Sequence, residues 1–303
     1  MILFILAYLG GVLTIDELRS LQGRSNLKGG VRLAIHVALL IGTGWLVALA
    51  HGWWLLPAVF LLGLVQVALF APAHETMHQT AFASRRANAI VGWLTSCPSL
   101  LNWHFYTSYH LAHHRNTQVP GQAPELSGPE PATVGQYIRR ILGISFWRLR
   151  LTVLWDCLRG DLSAYPYVSA TAAPLIIRSG RAMAGLMIGG SVVSALLFGW
   201  ATPFLFWIFP QLIGQPPLRA YLLAEHTGCT EDRNGLTNTR TTLTIAPIRL
   251  LMWDMPYHAE HHLFPSIPFH RLADAHALMR AKLAHIQPGY ARWNLDFVRS
   301  LAR

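Results

Sequence analysis

Long stretches without charge constrain this chain more than any other feature of its sequence. A helix that crosses the roughly 30 Å hydrocarbon core of a bilayer needs about 20 apolar residues. Four such windows occur, at residues 31–50, 53–73, 182–198 and 200–214, and their only charged side chain is Arg32. A composition of 52% hydrophobic and 13% charged residues also favours a membrane protein. The sequence therefore predicts an all-α integral membrane protein whose four transmembrane helices form two hairpins.

The basic residues predict the orientation of these hairpins. The two turns, at His51-Gly52 and around Gly199, contain no Lys or Arg, and the basic residues lie outside them. Cytoplasmic segments carry the excess of Lys and Arg. We therefore expect a multi-pass protein with both termini and residues 74–181 and 215–303 on the cytoplasmic side. The net charge of +10 is dispersed along the chain, which argues against a nucleic-acid partner.

The expected domain organisation has two parts. Residues 1–30 are predicted to form an N-terminal cytoplasmic or interfacial segment, and residues 31–303 a single membrane domain with the histidine clusters in its cytoplasmic helices. The apolar stretch 1–14 is only about 21 Å long as a helix. It is expected to form an interfacial helix or an incomplete span.

Histidine is the residue type that points to function. Nine of the 15 histidines fall in four short clusters. The first cluster has the pattern HxxxH, the second and third have the pattern HxxHH, and the fourth is a single histidine after the last apolar window. The nine are His74, His78, His110, His113, His114, His226, His258, His261 and His262. All four clusters are expected on the cytoplasmic side near the membrane, where they can converge.

The spacing within each cluster predicts metal binding. Residues at i, i+3 and i+4 share one face of a helix, so the imidazoles of a cluster can point at one ion. Zinc takes four ligands, or three protein ligands when it is catalytic. Nine imidazoles are too many for one zinc and fit two metal ions of higher coordination. Imidazole suits iron, copper, nickel and zinc alike, so the ligand type alone does not choose the metal.

Acidic residues beside the clusters are candidates for a supporting role. They are Glu75, Glu225, Asp254 and Glu260. A carboxylate that accepts the free ring N–H of a ligand histidine fixes its tautomer. Ordinary solvated acids are an equally good interpretation of each one taken singly. The remaining histidines are expected outside the site, and they are His36, His51, His104, His270, His276 and His285.

Two other interpretations of the histidines remain open. Residues His74 to His78 also match HExxH, in which two histidines bind zinc and the glutamate is the general base of a metalloprotease. An intramembrane zinc protease would use Glu75 in this way, but it would leave the other seven histidines without a role. A non-catalytic metal-binding membrane protein is the other alternative.

The order and the sequence patterns of the clusters resemble those of the membrane fatty acid desaturase superfamily. Its hallmark is three histidine boxes of the forms HxxxH, HxxHH and HxxHH, which match residues 74–78, 110–114 and 258–262. The family's additional histidine corresponds to His226, and the resemblance covers residues 24–276. It implies four transmembrane helices capped by a cytoplasmic helical domain. It also implies a non-haem centre of two iron ions held by the nine histidines.

The resemblance further implies oxygen-dependent attack on an unactivated C–H bond of a membrane lipid or acyl substrate, with O2 as cosubstrate. A fatty acid or acyl-lipid desaturase is the first expectation. A lipid hydroxylase or a carotenoid ketolase with the same centre is the alternative, because the motifs do not choose between these outcomes.

The electron donor is expected to be a separate protein. The three cysteines form no CxxC pair, so a fused rubredoxin module is not expected. A ferredoxin, a rubredoxin or a b-type cytochrome with its reductase would supply the electrons. An arginine-rich face is expected to anchor to an anionic leaflet or to dock an acidic donor. Its residues are Arg139, Arg140, Arg148 and Arg150.

Overall fold

The computed structural model describes residues 11–127 and 130–302. The helix expected at 1–14 falls largely on residues 1–10, outside the described residues. The α-helices are α1 (Ile15–Leu21), α2 (Asn26–Leu49), α3 (Leu55–Val67), α4 (Phe70–Met77), α5 (Arg85–Ser96), α6 (Trp103–Asn116), α7 (Val134–Ile141) and α8 (Ile144–Arg159). They continue with α9 (Ala173–Phe198), α10 (Ala201–Pro203), α11 (Phe209–Leu223), α12 (Ala246–Leu251), α13 (His258–Leu263), α14 (Leu272–Met279) and α15 (Tyr290–Leu301).

The all-α prediction misses one small sheet. Strands β1 (Thr241–Leu243) and β2 (Ile286–Pro288) pair in parallel, with Thr241 opposite Ile286. Three residues per strand are too short to show the alternation of apolar and polar residues that identifies a strand in sequence. Hydrogen bonds between the two strands join the segment that precedes α12 and α13 to the segment that precedes α15.

Within the described residues, three helices are long and apolar enough to cross a membrane: Asn26–Leu49, Gly52–Met77 and Ala173–Phe198. They correspond to the first three predicted windows. The third helix begins nine residues before the predicted window at 182. Pro174 does not interrupt it, because it lies in the first turn, where the missing N–H would have no helical partner.

The fourth predicted window, 200–214, is helical but is not among these three helices. It comprises α10, a π-helical turn at Phe204–Ile208 and the first part of α11. Helix α11 continues to Leu223 through Pro216 and Pro217. Each proline removes one backbone hydrogen bond from the helix, so this segment is less regular than the other three.

Small residues allow α3 and α11 to pack at close range. A Cβ atom built on Gly63 would lie 2.5 Å from the backbone oxygen of Pro210, and one on Gly214 would lie 2.5 Å from that of Gly63. Gln66 adds a polar link by donating to the carbonyl oxygen of Phe206 at 2.6 Å. Small residues and interhelical hydrogen bonds are the usual means of joining helices in a membrane. Helix α3 leads into α4, so this packing positions the first histidine cluster.

The C-terminal segment is held by an apolar core that includes α1. Leu21 packs in one buried cluster with Leu263 of α13 and with Leu272 and Met279 of α14. The N-terminus of α1 is fixed by a capping box, in which Thr14 and Glu17 exchange hydrogen bonds. This core supports the short helix that carries the third histidine cluster.

Candidate metal centre

Short helices and one turn present the nine histidines to a common interior. Helix α4 carries His74, and His78 caps its C-terminus. Helices α6 and α13 carry the second and third clusters, respectively. His226 lies in the turn that follows α11. Because the HxxHH spacing places three imidazoles on one helix face, the two helices face each other across the site.

Five histidines form one group, called here the five-histidine group. Its members are His74, His78, His110, His114 and His261, and one ring nitrogen of each lies within 4.8 Å of those of all the others. The Nε2 atom of His110 is 2.9 Å from that of His114 and 3.1 Å from that of His78. The Nε2 atoms of His261 and His114 are 3.2 Å apart. Ring nitrogens from all three boxes therefore point at one small volume.

The other histidines form a second group beside the first. His113, His226 and His262 meet the same 4.8 Å criterion and are called here the three-histidine group. His258 lies at its edge, with its Nε2 atom 3.3 Å from that of His226. The rings of His114 and His262 stack with centroids 4.1 Å apart, so the two groups are immediate neighbours. The structure thus brings together all nine histidines selected from the sequence.

The lone pairs of the clustered imidazoles are better satisfied by metal cations than by one another. Burial, reinforced by neighbouring histidines, lowers the pKa of His110, His114 and His262 well below its ordinary value, and burial lowers the pKa of His261 to about 3. Neutral imidazole is the form that binds metals. A neutral ring has one lone pair and one N–H, so five converging rings cannot all pair with one another. His74 Nε2 is buried with no hydrogen-bond partner among the described residues. A cation in each group would satisfy these lone pairs.

Groups outside the two clusters orient the rings. The Nδ1 atom of His113 lies 2.8 Å from a carboxylate oxygen of Glu125, and that of His226 lies 3.1 Å from the carbonyl oxygen of Asn238. Such contacts place the proton on Nδ1 and leave the Nε2 lone pair facing the group. Burial raises the pKa of Glu125, but its contact with His113 and its hydrogen bonds to backbone N–H groups together outweigh that effect, so the pKa lies below its ordinary value.

Two hydroxyl groups also contact the rings. Tyr106 Oη lies 3.3 Å from His110 Nδ1, and Thr117 Oγ1 lies 3.2 Å from His262 Nδ1. No pattern in the sequence predicts these partners. Tyr106 lies four residues, about one helical turn, before His110, which is a weak signal. Thr117 lies 145 residues from His262 in sequence, so only the fold brings them together. Glu125 lies in an irregular Pro- and Gly-rich loop, where no periodicity reports which way a side chain points.

The four predicted carboxylates have different surroundings. Glu225 is buried 3.4 Å from His258 Nε2, and its Oε1 atom has no hydrogen-bond partner among the described residues. Burial raises the pKa of Glu225 well above its ordinary value. Of the four, it is the one that contacts a clustered histidine.

The structure pairs the other three predicted carboxylates with different groups. Glu75 accepts from the backbone N–H of Phe269 at 2.9 Å. Asp254 forms ion pairs with Arg32 at 2.9 Å and with Arg249 at 3.1 Å. Glu260 contacts Thr241 and His276. Glu75 and Glu260 each adjoin a clustered histidine in sequence, but neighbouring residues on a helix point about 100° apart.

A cavity of about 860 Å³ opens onto both groups. Histidines of both groups line it, together with Phe70, Phe105, Tyr106 and Tyr109. Arg140, Arg150 and Arg219 also line it. A substrate in this cavity would lie against both groups of imidazoles.

Membrane-length helices and largely buried histidine groups that suit metal ions are the features expected of a membrane metalloprotein. Residues 51–294 match the family model described as fatty acid desaturase. The chain belongs to this family, and it is an oxidoreductase of the desaturase type.

Several characterised relatives have related but distinct activities. The chain is 25% identical to an sn-1 oleoyl-lipid 12-desaturase of Picosynechococcus sp. over 86% of this chain and 79% of the relative. It is 26% identical to a sphingolipid delta(4)-desaturase of Arabidopsis thaliana over 78% of this chain and 64% of the relative. It is also 26% identical to a beta-carotene ketolase of Paracoccus sp. over 80% of this chain and 90% of the relative.

Proposed function

We propose that this chain is an oxygen-dependent diiron desaturase that introduces a double bond into the alkyl chain of a lipid or acyl substrate. The observation that carries the proposal is the convergence of nine imidazoles, five buried and four partly buried, into two adjoining groups at one cavity. Membership of the fatty acid desaturase family supports the reaction class. The desaturases of Picosynechococcus and Arabidopsis support a lipid substrate.

In this proposal the five-histidine group holds one iron ion. The three-histidine group, together with His258, holds the other. Iron bound there would supply the oxidising chemistry that removes hydrogen from an unactivated C–H bond with O2. The chain itself positions the substrate carbon beside the histidines and limits the access of water to them, because five of the nine are buried and the other four partly buried. Glu125 and the Asn238 carbonyl keep His113 and His226 in the tautomer that ligates through Nε2.

Glu75 is poorly suited to the role that a zinc protease would require. Its Oε1 atom is engaged by the backbone N–H of Phe269. A general base must reach the proton that it abstracts. The metalloprotease interpretation also leaves most of the histidines without a role, so the oxidative interpretation accounts for more of the site.

We further propose that the segment from Ala201 to Leu223 is a fourth membrane span, paired with α9 in the second hairpin. Its close packing against α3 at Gly63 and Gly214 supports this assignment. Both termini and both histidine groups would then lie on the cytoplasmic side, as the distribution of Lys and Arg favours. A separate ferredoxin, rubredoxin or b-type cytochrome with its reductase would deliver electrons from that side.

A ketolase or hydroxylase is the second candidate. The similarity to the beta-carotene ketolase of Paracoccus favours it, since that relative is matched over most of its length. The same histidine groups serve either outcome, because the fate of the substrate depends on how its carbon is held. The product distinguishes them: a new double bond in one case, a new keto or hydroxyl group in the other.

The test is mass spectrometry of lipids from cells that express the full chain, with carotenoids analysed in parallel. We expect a new double bond in an alkyl chain, and its loss in the His261→Ala variant. His51→Ala is the matched control, because His51 is exposed in the turn of the first hairpin. It should leave the product unchanged.

An unchanged product in the His261→Ala variant would contradict the role of the five-histidine group. A keto or hydroxyl product would favour the second candidate. The proposal would be rejected if no oxidised product formed and the protein had proteolytic activity and one zinc per chain.

A further inference from the structure

Two arginines project into the cavity beside the histidine groups. Arg150 lies on α8 and Arg219 on α11, and both line the cavity. Their guanidinium carbons lie 4.8 and 4.2 Å, respectively, from the centroid of the same ring, that of Phe146. The two cations therefore face a shared space from different helices. The sequence had placed Arg150 on a surface face with Arg148, but only Arg148 is exposed.

Neither guanidinium has an acidic partner. In residues 11–127 and 130–302, no carboxylate oxygen forms an ion pair with Arg150 or Arg219 within 4 Å. The Nε atom of each is buried and has no hydrogen-bond partner in the same residues. Glu225 lines the cavity too, and the charge of Arg219 partly offsets the rise in the pKa of Glu225 caused by burial. The two side chains nevertheless form no ion pair within 4 Å, and the carboxylate of Glu225 contacts His258 at 3.4 Å. Stacking on Phe146 satisfies neither the charges nor the N–H donors.

Arg150 and Arg219 are both half-buried, and an unpaired cation that is partly withdrawn from water is costly. Withdrawing a charge from water without a partner raises the free energy of the folded protein. Burial lowers the pKa of Arg150 to about 10, which still leaves the side chain protonated at neutral pH. Two adjacent cations with free N–H donors are suited to one bidentate anion, because guanidinium matches the geometry of carboxylate and phosphate.

The arginines are close to the proposed reaction centre. Arg219 precedes Glu225 by six residues, which corresponds to roughly 9 Å along a helix. Glu225 in turn contacts His258. Tyr106, which contacts His110, lines the same cavity. An anion held by the two arginines would therefore be separated from the reacting carbon by a short stretch of substrate.

We propose that Arg150 and Arg219 form a subsite for an anionic group of the substrate, a carboxylate or a phosphate. The substrate is then a charged amphiphile, and a neutral ester or hydrocarbon lacks the group that the subsite binds. This inference rests on the proposed function, because it identifies the substrate class of the same cavity. The arginines are specificity-determining residues that bind the anion and so position the alkyl chain.

The test is calorimetric titration of the full, iron-loaded chain in lipid nanodiscs with three probes: octanoate, octyl phosphate and methyl octanoate. We expect at least one of the two anions to bind at least about tenfold more tightly than the ester, because charged hydrogen bonds are lost with the ester. Preference for octanoate would identify a free carboxylate as the substrate group. Preference for octyl phosphate would identify a phosphate-bearing lipid.

Variants link the affinity to the two arginines. Arg150→Gln and Arg219→Gln should each weaken binding of the preferred anion at least about tenfold and leave ester binding unchanged. Arg148→Gln, on the same helix but exposed, is the matched control and should bind all probes as the wild type does. Arg150→Lys should restore part of the affinity, because it keeps the charge but not the bidentate geometry.

Equal binding of ester and anions by the wild-type protein would overturn the subsite, and this comparison does not depend on the folding of any variant. Unchanged anion binding in both Gln variants would also overturn the subsite. An anion that binds iron directly would give this result. The proposed function is tested separately by the lipid product. Desaturation with no arginine-dependent binding would reject the subsite alone. Arginine-dependent binding without iron or an oxidised product would reject the proposed function alone.

Discussion

Replacing Glu125 by Gln should selectively weaken metal binding at the three-histidine group. A carboxylate oxygen of Glu125 lies 2.8 Å from His113 Nδ1, while its other oxygen accepts from the backbone N–H of Gln118 at 3.1 Å. The amide of Gln can keep the second contact. The substitution removes the negative charge that favours the Nδ1-protonated tautomer of His113. No histidine of the five-histidine group depends on Glu125.

The expected magnitude follows from this single contact. Removing a group that orients a ligand histidine typically weakens metal affinity tenfold to a hundredfold, or about 1.4–2.8 kcal/mol. The assay is a titration of purified, iron-loaded protein with a ferrous chelator, with the iron remaining on the protein counted at each step. One iron per chain should leave the variant at a chelator concentration about tenfold to a hundredfold lower than in the wild type. The other should leave at the wild-type concentration.

Glu130→Gln is the matched control for this titration. Glu130 lines the same cavity, but it forms no ion pair with a histidine in the described part of the chain. Its titration should match the wild type. Equal loss of both irons from Glu125→Gln, or no loss of either, would refute the assignment of His113 to a separate metal ion.

Two further predictions concern stability. Gly63→Ala should destabilise the protein by about 1–3 kcal/mol, because its Cβ would meet the Pro210 backbone oxygen at 2.5 Å; Gly44→Ala, with open space around it, should not. Thermal unfolding in detergent compares them, and equal melting temperatures would contradict the packing of α3 on α11. His276→Ala should cost about 1–3 kcal/mol of stability by leaving the buried Glu260 carboxylate with fewer partners. It should retain its iron, and loss of iron at unchanged stability would contradict this explanation.

The membrane helices were predictable because length and lack of charge suffice to identify them. The sequence alone predicted the ends of these helices less well. Helix α9 begins at Ala173, nine residues before the predicted window, and Pro174 in its first turn costs no hydrogen bond. The segment after Gly199 was harder still. Its prolines and π-helical turn depend on partners such as Gln66, which satisfies the Phe206 carbonyl from another helix.

The histidines were predictable for a related reason. Their spacing fixes which helix face they share, and the packing of the helices brings the clusters together. The supporting carboxylates were less predictable: of the four candidates Glu225 contacts a clustered histidine, whereas Glu75 and Glu260 adjoin one in sequence but not in space. On a helix the next residue points about 100° away, so Glu75 and Glu260 contact Phe269 and His276 instead. Glu125 and the unpaired state of Arg150 depend on how distant segments pack, which no local pattern encodes.

The central claim is that nine imidazoles hold two iron ions in unequal environments. The most direct measurement is Mössbauer spectroscopy of the full chain purified from cells grown with iron-57, together with metal analysis of the same sample. The account predicts about two iron ions per chain and two distinguishable ferrous signals, one for each histidine group. A single metal ion per chain, or zinc in place of iron, would contradict it.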